Sequence, residues 1–218
     1  MSSDPTPDAR PLRADAARNR DRIITAAREL YATRGLSVGL NEIAHHAGLG
    51  VGTAYRRFPD KQQLVELALA EPLREITEVA AEAQRAARAW DGLMLVLERG
   101  AALLAANLGL RDVALGPDGD LEGLTPHVEG FAEIVCGLMD RARAEGDLRQ
   151  GVTHDDLTLI LWMVSELAAH SVEVEPEAYR RYLRLVTDGL REGPGLAELA
   201  PALTTEQVTE IARHWAAH

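Results

Sequence analysis

Seven consecutive residues, Val51-Gly52-Thr53-Ala54-Tyr55-Arg56-Arg57, join small side chains to a phenol and two guanidinium groups. Small side chains can come close to a crowded surface, and long polar ones can reach past its edges. That is the chemistry of reading a DNA major groove: short side chains against base edges, hydroxyl and cationic groups on the flanking phosphates. Val51, Gly52, Thr53 and Ala54 are assigned to the base edges. Tyr55, Arg56 and Arg57 are assigned to the rim. Lys61, the only lysine in the chain, falls in the first turn of a following helix, where free backbone N–H groups also attract phosphate. His45 is expected at the surface near phosphate. His45 and His46 do not form a metal pair, because adjacent residues do not share a helix face. No metal or cofactor is expected.

Such residues need a short helix held by a partner. Leu40, Ile43, Ala44 and Ala47 recur at helical spacing, Gly48-Leu49-Gly50 makes a turn, and a second short helix runs from Val51 until Pro59 stops it. Phe58 anchors that second helix to a core. A longer helix over 20–34 precedes them, with Ile23, Ile24, Ala27, Leu30 and Tyr31 on one side and Gly35 closing it as a C′ residue. Two short helices joined by a glycine turn and backed by a third are a helix-turn-helix head.

At this point the run Ile43-Ala44-x-x-Ala47-Gly48-Leu49-x-Val51-Gly52-Thr53-x-Tyr55-Arg56-x-Phe58-Pro59-x-Lys61, after Arg34-Gly35, resembles the TetR family of bacterial repressors. The likeness spans residues 20–65. It implies an all-α homodimer whose head binds a palindromic operator on double-stranded DNA. It also implies a body with a small-molecule pocket and a dimer interface built from two late helices, ligand binding releasing the DNA. Three positions depart from the family pattern: Gly39 and Gly50, where Thr and Ser are frequent, and Arg57, where His or Tyr is.

The remainder reads as helices over 61–87, 90–108, 125–144, 153–171, 176–191 and 204–215, with no strand pattern. Pro72 kinks or splits the first of these, and 112–123 is a loop, with or without a short helix ahead of it. The fold class is all-α: a mobile arm over 1–18, a three-helix head over 19–59, and a larger helical ligand-binding and dimerisation body over 60–218. The net charge of −11 divides into +2 over residues 1–70 and −13 over the rest, so the acid can point away from a phosphate backbone. Arg10, Arg13 and Arg18 of the arm either follow DNA or belong to a solvated tail. Cys136 stands alone and is expected to act as a small buried hydrophobe. No secretory leader is expected, since residues 1–21 are polar and charged, and no apolar run of about 20 residues occurs in the sequence. A cytoplasmic protein with no membrane partner is expected.

In the body, Trp162, Glu166 and His170 lie at i, i+4 and i+8 with Met163 beside them. They are candidates for a pocket taking a small apolar or amphipathic ligand, Glu166 pairing with a polar or cationic group on it. Asn107, Arg111, His127 and Phe131 are further candidates. Ordinary core or dimer interface fits the same residues equally well. Tyr182, Leu183 and Val186 are expected near a two-fold axis. No nucleophile–base–orienter set is visible, so no enzyme is expected. Two functions remain: a ligand-released repressor, or a DNA-binding regulator whose body only dimerises or binds a protein partner.

Overall fold

The computed structural model describes residues 9–115 and 123–216. Their order is α1 (Ala9–Arg34), α2 (Leu40–His46), α3 (Val51–Arg57), α4 (Lys61–Gln84), α5 (Ala89–Ala106), α6 (Leu108–Leu115), α7 (Thr125–Ala144), α8 (His154–Ser171), α9 (Ala178–Asp188) and α10 (Thr205–Ala216). The protein is all-α, a helix-turn-helix head on a helical body. The one strand-like feature among the described residues is an isolated bridge between Leu148 and Arg191.

The head closes around Ile23, Ala27, Tyr31, Ile43, Ala44, Ala54 and Phe58, all buried. Gly35 takes φ +72° and ends α1 with its N–H on the Tyr31 carbonyl at 3.0 Å. Gly48 takes φ +65° in the turn between α2 and α3. Both conformations favour a residue without a Cβ. α1 begins at Ala9, well before the expected start. The Ala- and Arg-rich stretch favours helix, the side chains of Asp15 and Arg18 pair one turn apart, and Pro11 falls in the first turn, where no N–H is needed. The expected arm is therefore helical from Ala9. Residues 1–8 lie outside the described residues.

α4 starts on Asp60, whose carboxylate accepts the Gln62 N–H at 2.9 Å. It runs unbroken through Pro72, which costs one backbone hydrogen bond while the apolar face from Leu64 to Ala83 continues across it. α4 and α5 pack along each other, α7 and α8 flank α5, and α9 lies on α8. Buried side chains from Ile23 to Leu190 form one continuous cluster, so head and body share a core. Thr153 and Asp156 form a full capping box at α8, and Thr204 with Gln207 does the same before α10.

The short helix left open ahead of the loop is present as α6, capped by the Asn107 carboxamide, which accepts the Leu110 N–H at 2.9 Å. Two expectations change here, the extent of the loop and the place of Cys136. α6 runs on to Leu115, so residues 112–115 of the expected loop are helical. The loop centre, Gly116-Pro117-Asp118-Gly119, lies outside the described residues. Cys136 is exposed, not buried: the inner face of α7 is Val135, Leu138, Met139 and Ala142, and 136 falls off that stripe. No described helix is long and apolar enough to cross a membrane.

Candidate nucleic-acid interface and effector cavity

The recognition helix α3 has two faces. Ala54, 0% exposed, and Phe58 turn into the head, with Val51 half-buried against the same core. Gly52, Tyr55 and Arg56, at i, i+3 and i+4, turn outward; Tyr55 is 49% exposed. Thr53 and Arg57 flank them, and the Arg56 guanidinium reaches the Thr53 hydroxyl at 3.4 Å. The assignment of Ala54 to base edges is corrected. It is sealed in the core, where its small size lets α3 lie close against the rest of the head.

His45 is exposed. His46 beside it pairs with Glu29 at 2.7 Å. Lys61 Nζ donates to the Leu36 carbonyl at 2.6 Å, and partial burial lowers its pKa. Its cation therefore ties the α1–α2 turn to α4 and is not simply aimed at solvent. Arg22 carries no conspicuous motif in the sequence, yet it donates to the Ala47 carbonyl at 2.6 Å and the Gly48 carbonyl at 3.3 Å. It fixes the helix-turn-helix turn from α1. Arg18 is paired with Asp15; the side chains of Arg10 and Arg13 lie outside the described residues.

In the body a cavity of about 80 Å³ lies beneath α4, enclosed by α5, α6, α7 and α8. Its wall includes Leu97, Leu104, Val113, Phe131 and Leu161. Phe131 and His127 line it as expected candidates. The other candidates are elsewhere. α8 presents His154, Leu157, Thr158 and Leu161 to the cavity, a stripe that leaves out the 162–166–170 face. Trp162 is buried outside the lining, and Met163 is half-exposed. Glu166 pairs with Arg111 at 2.7 Å, which joins α8 to α6. The His170 ring is exposed and bonded to the Glu166 carbonyl at 2.9 Å. Asn107 is the α6 cap.

α6 is where the cavity meets the head. Leu110 and Val113 face the cavity. On the other side Asp112 accepts the backbone N–H of Leu36 at 2.8 Å, and burial raises its pKa. At the same junction Tyr31 is fully buried and its hydroxyl has no hydrogen-bond partner among the described residues. Burial pushes that phenol up to about 12.

On α9, Tyr182, Leu185 and Val186 form an exposed apolar face. Leu183, expected beside them, is 2% exposed and belongs to the core. With Tyr179 and Thr187 it makes the inner face of the helix, one residue out of step with the outer one.

A helix-turn-helix head on a helical body that encloses an apolar cavity defines the class: DNA-binding transcriptional regulators. Residues 23–68 match the bacterial regulatory proteins of the tetR family. Residues 89–192 match the C-terminal domain of SbtR-like transcriptional regulators. The chain belongs to the TetR family. A helix-turn-helix-type transcriptional regulator of Staphylococcus aureus (strain USA300) is 43% identical over 54 residues, 24% of this chain and 29% of that protein. The chain thus matches less than a third of the length of these curated relatives. Among solved structures, a TetR transcriptional regulator of Streptomyces coelicolor is 27% identical, covering 79% of this chain and 98% of that one, with a TM-score of 0.50. The regulator FadR of Bacillus subtilis, solved with stearoyl-CoA, shares the fold at 20% identity and a TM-score of 0.55, covering 81% and 99% of the two chains.

Proposed function

We propose that this chain is a ligand-released transcriptional repressor that binds a palindromic operator as a homodimer. The outward face of α3 carries the reading: Gly52, Thr53, Tyr55, Arg56 and Arg57 lie together on the one exposed side of a helix whose other side is anchored. Gly52 and Thr53 meet base edges, with Val51 at their margin. Tyr55, Arg56, Arg57 and His45 meet phosphates. The division of labour falls at residue 60, with 19–59 binding DNA and 60–218 dimerising and sensing.

The exposed face of α9 supports the dimer, and operator palindromes mirror two-fold symmetry. The enclosed cavity supports a small-molecule effector over a body that only dimerises. Ligand releases DNA if it binds the DNA-incompetent arrangement more tightly. Fluorescence anisotropy on the DNA flanking the regulator's own gene tests the reading. Specific binding that weakens when an apolar ligand is added is expected. Specific binding that strengthens instead would make the protein a co-repressed or activating regulator, and binding indifferent to sequence would remove the operator reading.

A further inference from the structure

The cavity wall restricts the chemistry of what enters it. Among its described lining residues there is no Asp, Glu, Lys or Arg, and the polar side chains are His127, His154 and Thr158. The Thr158 hydroxyl already donates to the His154 carbonyl at 3.2 Å. A charged group brought to such a wall would lose its hydration with no Lys, Arg, Asp or Glu there to replace it, and at pH 8 an imidazole offers a hydrogen bond and not a fixed charge. The charges just outside are equally restrictive.

His127 and Leu73 line the cavity and also a depression on the outer face of α4, together with Glu66, Arg74 and Glu78. These two side chains are the partition between inside and outside. Arg74 is already shared by Glu71 and Glu78, while among the described residues Glu66 takes an amide contact from Gln62, at 3.4 Å. An anionic head left at this doorway would face carboxylate.

Resting on the ligand-responsive reading above, we propose that the effector is an uncharged, mainly apolar molecule with a single hydrogen-bonding group, and that the His127 ring receives that group at the cavity mouth. Phe131, Leu97 and Leu104 take the apolar body. Anionic amphiphiles are excluded twice, by the wall and by the doorway.

Two dyes with one skeleton separate the cases: N-phenyl-1-naphthylamine, which is neutral, and 8-anilinonaphthalene-1-sulfonate, which is anionic. Each is titrated by fluorescence against the full chain at pH 8. The neutral dye is expected to bind at least about tenfold more tightly. Gly100→Leu serves as the blocking variant, since Gly100 lines the cavity and a Cβ there meets no atom within 4 Å; Leu also favours helix over Gly, and a thermal melt checks that the variant is folded. It should abolish binding of the neutral dye. His127→Leu should weaken it about fivefold, one hydrogen bond's worth. Sulfonate binding as tight as the neutral dye, or His127→Leu without effect, overturns the ligand class. Dye binding that survives Gly100→Leu places the site elsewhere and also overturns it. Failure of the neutral dye to bind, with operator affinity unmoved by it, would instead remove the ligand-responsive reading itself.

Discussion

The carboxylate of Asp112 holds the backbone N–H of Leu36 at 2.8 Å, and this bond joins the body to the head. A Cβ at the neighbouring Gly35 would lie 2.4 Å from the same carboxylate oxygen, so the contact requires glycine there as much as φ does. Lys61 grips the Leu36 carbonyl from α4. The backbone of one turn residue is thus held at its N–H by a cavity-wall helix and at its carbonyl by the helix that joins head to body.

Asp112→Ala should therefore loosen head from body. It leaves the half-buried Leu36 N–H without its acceptor and should cost about 1 kcal/mol, read as a lower thermal midpoint. Asp112→Asn keeps an acceptor and loses the poorly solvated charge, so it should cost less. Because burial raises the Asp112 pKa, the folded state favours its protonated form more than the unfolded chain does. That contribution is present at low pH and is lost as pH rises through the folded value. The stability gap between Asp112→Asn and the parent should then widen in favour of Asn from acid to neutral pH. Equal pH profiles for the two proteins would refute this.

Tyr31→Phe should stabilise the protein. The buried hydroxyl has no partner among the described residues, and removing an unsatisfied group is worth about 1 kcal/mol, or about 2–4 °C in midpoint for a chain of this size. The parent phenol, raised to about 12, contributes stability below pH 10 that is lost as pH climbs through 12. Differential scanning calorimetry across that range should show a smaller alkaline loss in Tyr31→Phe. A lower midpoint at neutral pH would mean the hydroxyl has a partner in solution.

Arg56 and Lys61 should behave differently on DNA. Arg56→Ala removes an outward cation that touches the Thr53 hydroxyl and should flatten the dependence of log K on log salt by about one phosphate contact while leaving the fold's midpoint unchanged. Lys61→Ala removes a cation bonded to Leu36 and should lower the thermal midpoint as well as affinity. Anisotropy over a salt series, paired with thermal melts, separates the two.

Leu185→Glu tests the dimer. Leu185 is 58% exposed, so the change should leave the protomer folded and place a charge in the proposed interface. Sedimentation at micromolar concentration should show a dimer for the parent and a monomer for the variant, with operator binding lost in step. Leu183→Ala should instead destabilise the protomer by about 2–5 kcal/mol, as a core truncation does.

What the sequence could decide by itself was local. Glycines at 35 and 48, the apolar spacing of Ile43, Ala44 and Ala47, and the cap pairs at Thr153 and Thr204 act within a few residues, so the head, the helix order and the family were legible from the order of side chains. Position across helices was not. Trp162–Glu166–His170 has the spacing of a functional face, yet the cavity takes the neighbouring stripe of α8, because which stripe faces inward depends on the helices packed around it. Ala54 and Leu183 fail in the same way: one step of about 100° around a helix turns a surface residue into a core one. Arg22 on the turn at Ala47, Asp112 on Leu36 and Arg111 on Glu166 join residues 25 to 76 positions apart. No local pattern encodes such pairs. Only the packed chain brings them within hydrogen-bonding distance.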